Sequence, residues 1–429
     1  MPLLMKNKYF PIYIIAGVNL ITLLMYMSAP YIFYDGNVVA SYFYILLNIF
    51  LLVMGFKRGV IFGEVRHLNK YYLYSVKEIK VFRFITVFYF LTFLIKYAYL
   101  LKFSPFDISG MIGRLLIGVA DPKLGYRLSI DSTNAGTISW SLFFLTSILN
   151  SIYFITGFLV WPRLSIVMKI IFLLFIGIEV FYWVGRGTNF GVISLAVTFL
   201  LANLINSKGN VNFSILIKYL TIFVFSILSF SLIMYSRSGG AVGDIQIFSF
   251  PMSSVDESSF LLAITPKNLH TTIMSIFFYI VQGYYNMSIA FDLNFIPTWF
   301  GGSNSSIASL YTSFGFDVMG NSYINRLEAK GIDPKVNWHS AYTWIANDFS
   351  FIAVPLIIYT IGFFMGFSWV KSIISNDFYS KLIFVLLAGF AIFIFANNNF
   401  IGYYFYSFMF IFPYWIYKSF FVIGSRRRG

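Results

Sequence analysis

Stretches of about twenty apolar residues recur along this chain, and they constrain its fold more than any other feature. A helix rises ~1.5 Å per residue, so about 20 residues cover a hydrocarbon layer of ~30 Å. Such runs fall at about 11–30, 38–56, 82–101, 138–160, 168–184, 189–206, 217–235, 350–370, 382–397 and 401–421. Only 11% of the 429 residues are charged, against roughly 25% in soluble globular proteins. The expectation is an all-α polytopic membrane protein with about ten transmembrane helices (10–12), forming a single membrane domain over 1–429. Lys6 and Lys8 precede an apolar run longer than a signal h-region, so the first run reads as an uncleaved span.

A formal net charge of +14 invites a nucleic-acid reading. The placement of the charges argues against it. The segment 57–83, where one apolar run gives way to the next, carries Lys57, Arg58, Arg66, Lys70, Lys77, Lys80 and Arg83, and the chain ends in "SRRRG". Basic residues collect on the cytoplasmic side of membrane proteins. A cytoplasmic basic loop at 57–81, with both termini cytoplasmic, requires an even number of spans, and ten satisfies that. The run 271–291, "TTIMSIFFYIVQGYYNMSIAF", would add an eleventh crossing. Gln282, Gly283 and Asn286 in its middle suit a helix that lies in the interface or re-enters from a polar cavity. Two segments then face the periplasm. One is 102–137, with an amphipathic helix, and the other is a large loop, 236–349.

Cysteine is absent, so disulfides and thiolate chemistry are excluded. His67, His270 and His339 lie far apart, so neither a metal site nor a cofactor is expected. The 53 Phe and 31 Tyr suit lipid-facing and interfacial packing, with a few available to stack on sugars.

The predicted topology gathers a small set of polar residues at one face. Arg186 lies in "YWVGRGTNFG" and Arg237 in "MYSRSGGAVGD", each beside glycine. Glycine lets backbone N–H groups approach an anion, and arginine forks onto phosphate oxygens. His339 and Asp348 precede the eighth run, and Asn397, Asn398 and Asn399 join the last two. Asp348 suits either a helix cap or a site role. Glu179 lies inside a span, where an ionisable group needs a partner. Lys96 can snorkel. Together these residues suit glycosyl transfer from a polyprenyl-pyrophosphate donor. The arginines hold the leaving group, and His339 takes the proton of the attacking hydroxyl.

Four stretches carry a family resemblance: "GRGTNFGVISLAV", "YSRSGG", "YIVQGYYNMSIAF" and "HSAYTWIANDFSFIAVPL". In this order, with a large late loop, the chain resembles bacterial O-antigen polymerases (Wzy-type) and, more distantly, O-antigen ligases. The resemblance implies a GT-C-like fold and a metal-independent glycosyltransferase of the inner membrane. It implies that Arg186 and Arg237 bind the lipid-linked pyrophosphate and that His339 is the base or positions the acceptor, which makes these three the expected catalytic residues. Arg114, Arg127, Tyr284, Asn337, Tyr342 and Asp348 are the expected substrate contacts. The implied partners are undecaprenyl-pyrophosphate-linked donor and acceptor oligosaccharides, membrane lipids and a chain-length regulator, with no nucleic acid. Two departures stand out. Ser340 follows the histidine where the ligases carry Asn, and Ser350 takes the glycine position of an acidic-Phe-Gly pattern. The alternative readings are an O-antigen ligase and a flippase for lipid-linked sugars. Carriers of that kind show internal repeat symmetry and broken midplane helices, neither of which is visible in this sequence.

Overall fold

The computed structural model describes residues 8–68, 78–95, 107–121, 124–125, 127–128, 140–188, 190–210, 217, 221, 245–334, 337–396 and 405–421. These form an all-α array with one two-stranded antiparallel ribbon. Four helices are long and apolar enough to cross a membrane: α1 (Phe10–Met27), α2 (Val38–Leu68), α6 (Ile166–Gly185) and α12 (Ala341–Ile374). Shorter apolar helices accompany them: α4 (Ile108–Ala120), α7 (Phe190–Asn206) and α13 (Phe378–Ile392). α3 (Glu78–Ile95), α5 (Trp140–Val160) and α14 (Phe405–Phe420) pack among these. The expected span at 217–235 lies almost wholly outside the described residues, as do Lys96, Arg237 and Asn397–Asn399.

The most extensive helix contact joins α2 to α12, and glycine makes it so. Gly55, Gly59 and Gly63 on α2 face Gly362 and Gly366 on α12. A methyl group on Gly59 would sit 2.0 Å from the Phe363 carbonyl oxygen, and one on Gly366 would sit 2.1 Å from that of Phe56. Backbone therefore meets backbone, the small-xxx-small packing that membrane helices use where no hydrophobic effect drives them together. This contact carries α2 on past the expected end of its span. The basic segment expected as a loop from residue 57 is helical to Leu68. Lys57 lies over the rings of Tyr9 and Tyr13, Glu64 pairs with Lys8 at 2.9 Å, and Arg66 lies over Phe420.

Those residues belong to one end of the bundle, where ion pairs tie the helix termini together. Glu78, at the start of α3, pairs with Lys381 of α13 at 2.6 Å and with Arg163 of the α5–α6 turn. Asp377 caps α13, accepting from the Ser380 N–H at 2.9 Å, and pairs with Lys418 of α14 at 2.7 Å. Trp369 of α12 donates its indole N–H to the Lys8 carbonyl at 3.0 Å.

The opposite end carries the loop elements. β1 (Tyr31–Phe33), between α1 and α2, pairs with β2 (Ser253–Val255). The short helix α8 (Phe260–Ile264) leads into α9 (Lys267–Ala290), and α10 (Ser305–Ser313) and α11 (Tyr323–Arg326) follow. α9 meets α1 at Thr22 and Tyr26, and its Ser288 carbonyl accepts from Asn37 just before α2. Among the described residues the loop builds no core of its own. Tyr323, Leu327 and Ile332 join the same buried cluster as the long helices.

Candidate functional site

Helix α6 ends at Arg186. Gly187 follows with φ 63°, the Gly187 N–H bonds the Val184 carbonyl at 2.8 Å, and the Thr188 N–H bonds that of Trp183 at 3.0 Å. This is the Schellman arrangement that glycine favours because it has no Cβ to clash. The "GRG" glycines therefore shape a helix end: these N–H groups are taken up internally rather than offered to an anion. Gly118 of α4 packs on this end, since a Cβ there would stand 2.0 Å from the Val184 carbonyl oxygen.

The Arg186 side chain folds back over its own helix. It donates to the Tyr182 hydroxyl at 3.1 Å and lies over the rings of Tyr182 and Trp183, 5.5 and 5.4 Å from their centroids. Trp183 in turn donates its indole N–H to Glu179 at 2.9 Å. Glu179 also accepts from Tyr89 at 3.1 Å and from Asn150 at 3.3 Å. The partners demanded by an intramembrane carboxylate thus include three neutral donors, from α3, α5 and α6. A small cavity of about 20 Å³ adjoins them, lined in part by Asn150, Glu179, Ser194 and Thr198.

Arg114 reaches the same place from α4. Asp107 starts that helix by accepting from the Gly110 N–H at 2.8 Å. The orientation of α4 is inverted relative to a helix in water. Ile108, Ile112, Leu116 and Val119 are exposed, whereas Arg114 is 7% exposed and bonds the Gly125 carbonyl at 3.1 Å. Burial holds the Arg114 pKa below its usual value, and the positive field of Arg186 lowers it further. Two guanidinium groups in each other's field gain stability from a shared anion. Arg127 is exposed a short way along the chain.

His339 lies at the same end, across the terminus of α13. The ring of Phe393 stands 5.5 Å from that of Phe190, at the start of α7. The next residue, Ile394, accepts from the Ala341 N–H at 2.8 Å, and the Ser340 N–H bonds the Gly283 carbonyl of α9 at 3.3 Å. His339 is 1% exposed, and both ring nitrogens lack a hydrogen-bond partner. The indole nitrogen of Trp344, whose ring lies 6.5 Å away, and the side-chain oxygen of Asn286 are also unpartnered. Burial pushes the His339 pKa down to about 3, so the imidazole is neutral.

Three of the residues expected to contact substrate are engaged within the fold. Tyr284 and Tyr342 are fully buried and stack on each other 6.5 Å apart, with the Tyr284 hydroxyl on Thr22 at 3.1 Å. They are packing residues without a face open to a sugar. Asp348 does not cap the helix that follows the bend; there Ser350 Oγ accepts from the Ile352 N–H at 3.1 Å. The Asp348 carboxylate instead gathers the loop 298–303, accepting from the Thr298 hydroxyl, the Gly302 N–H at 3.1 Å and the Ser303 N–H at 3.0 Å. Asn347, absent from the expected set, holds the same loop through the Gly302 carbonyl at 2.9 Å. Asn337 is half-buried, its N–H on the Asp333 carbonyl at 2.8 Å. Ser350 has φ 61° and ψ 158°, a region nearly reserved for glycine, and bends α12 sharply. That conformation gives a physical reason for glycine at this position in the resembling pattern.

Helical spacing would have singled out Trp183, four residues after Glu179 and three before Arg186. No cluster of three or more metal-ligating side chains occurs among the described residues. No protein-family model, curated protein or solved structure matches the chain.

Proposed function

We propose that this protein is a repeat-unit polymerase that moves a growing glycan from undecaprenyl pyrophosphate to the non-reducing end of a second lipid-linked oligosaccharide. The observation that carries this reading is the inverted helix α4. Its apolar ridge of Ile108, Ile112, Leu116 and Val119 faces outward, and its buried Arg114 packs beside Gly185 at the end of α6, within the electrostatic field of Arg186. An apolar ridge is stable when exposed if acyl chains surround it. A two-arginine site behind such a ridge suits an anionic headgroup on a lipid tail, and pyrophosphate on a polyprenol is one.

In the proposed reaction an acceptor hydroxyl attacks the anomeric carbon of the donor glycan. The bond from that carbon to the pyrophosphate oxygen breaks, and the electron pair leaves with undecaprenyl pyrophosphate. Arg114 and Arg186, with Arg237, neutralise the departing charge. His339 is the candidate proton acceptor. Neutral at rest, it gains basicity when a pyrophosphate is brought near. A single displacement inverts the anomeric centre. The accompanying topology has ten spans with both termini in the cytoplasm of a bacterium, the site facing the periplasm, and a chain-length regulator as partner.

The test is deletion of the gene followed by electrophoresis of the surface polysaccharide. Lipid A–core bearing one repeat is the expected product, whereas bare core would point to a ligase or flippase and end this reading. Restoring the gene with Arg186→Ala or Arg114→Ala should leave single-repeat product at normal protein levels.

A further inference from the structure

The loop 298–303 holds two large aromatic side chains outward at a conformational cost. Trp299 and Phe300 both have left-handed backbone, φ 49° and 66°, and are 65% and 55% exposed. A bulky residue in this region is strained and persists when its surroundings over-determine it. The surroundings here are Asn347 and Asp348. Between them they bond the Thr298 hydroxyl, the Gly302 N–H and carbonyl, and the Ser303 N–H. The clamp springs from the bend at Ser350, so the aromatic pair is tied to the point where α12 changes direction.

The height of that bend identifies what meets the aromatics. Lys371 lies near the ion-paired end of α12, its ammonium on Ser419 at 2.5 Å. Ile352 is 19 residues away, about 28 Å at ~1.5 Å per residue, close to the ~30 Å of a hydrocarbon layer. Ile352 is 91% exposed and Leu356 68%, so this face of α12 looks into lipid up to the bend. Phe349 continues the stripe, and its ring lies 5.2 Å from that of Phe300. Leu356 and Ile352 after the bend, and Phe349, Phe300 and Trp299 before it, are thus all exposed apolar side chains, with Phe349 joining the helix to the loop. Trp and Phe suit the boundary between headgroups and acyl chains.

We infer that loop 298–303 is a membrane-inserted wedge whose partner is the lipid surface, with Asp348 as the clamp that sets its depth. The wedge holds the bend of α12 at the membrane boundary. This inference does not depend on the proposed reaction.

The natural chain has no cysteine, so single-cysteine variants can be spin-labelled directly. The experiment uses Trp299→Cys and Phe300→Cys in phosphatidylethanolamine–phosphatidylglycerol vesicles. Ile352→Cys serves as the lipid-facing reference and Ser258→Cys as the aqueous one. Accessibility to oxygen relative to a water-soluble nickel chelate reports depth. Ratios at 299 and 300 several-fold above that at 258, and near that at 352, are expected. Ratios equal to that at 258 would overturn the inference. Adding Asp348→Asn should shift the label at 300 toward the aqueous value. An unchanged depth there, in protein that still elutes as a monodisperse peak, would remove Asp348 from the clamp.

Discussion

At the scale of single residues, the arginine site depends on what lies beneath it. Arg186 rests on Trp183, and Trp183 is oriented by Glu179. A Cβ on Gly191 would overlap the indole nitrogen of Trp183 at 2.0 Å, so the ring has one place to sit. Glu179→Ala should weaken binding of undecaprenyl pyrophosphate roughly tenfold, the scale of one charge-assisted hydrogen bond, as measured on protein in nanodiscs. Combined with Arg186→Ala it should add little, because both variants break one chain of contacts. His339 yields a pH prediction. Its folded pKa, about 3, lies below the ordinary 6.5, so the unfolded chain takes up a proton that the native state refuses. The resulting stability is fully present above pH 6.5 and is lost as pH falls from about 6.5 toward about 3. The loss reaches up to ~1.4 kcal/mol per pH unit. Thermal unfolding of His339→Gln should lack this component, so the gap between the two proteins should change across that window.

At the scale of elements, the α2–α12 contact illustrates what spacing reveals and what it hides. Gly55, Gly59 and Gly63 recur every four residues, and so do Gly362 and Gly366. The motif is visible in the chain, but which helix it faces is not, because nearly 300 residues separate the two sets. Gly59→Leu must push backbone apart and should destabilise the protein by about 1–3 kcal/mol. Gly113→Leu, at a position with open space, should not. Differential scanning fluorimetry in detergent distinguishes them. Helix α4 follows the same logic. Its 3.6-residue periodicity announces an amphipathic helix, whereas only the packing of Gly118 on α6 shows that its arginine faces inward.

At the scale of the molecule, the two ends differ in kind. One end is stitched by ion pairs among helix termini that are distant in sequence; the other carries the unpaired imidazole and the arginine pair. Glu78 is central to the first, since its side chain is 3% exposed and that of Lys381 is 4%. Glu78→Gln leaves a buried ammonium without its carboxylate and should cost roughly 3–5 kcal/mol, read as a loss of thermal stability. The double variant Glu78→Gln/Lys381→Met should recover much of it, because no buried charge then lacks a partner.

The sequence by itself determined the class of the molecule. Apolar runs of about twenty residues with few charges have one stable home, and a helix is the form that satisfies the backbone there. It also brought Arg186 and His339 forward, because ionisable groups beside apolar runs are rare and costly. Tertiary structure alone decided their company. Arg114 comes beside the end of α6 because Gly118 lets α4 lie against Val184 and Gly185. Tyr284 and Tyr342 are core because α1, α9 and α12 close over them. Asp348 is a clamp because a loop nearly fifty residues earlier returns to its carboxylate. Local pattern states what a residue can do, but which groups share a low-dielectric space depends on contacts that no window of the chain contains.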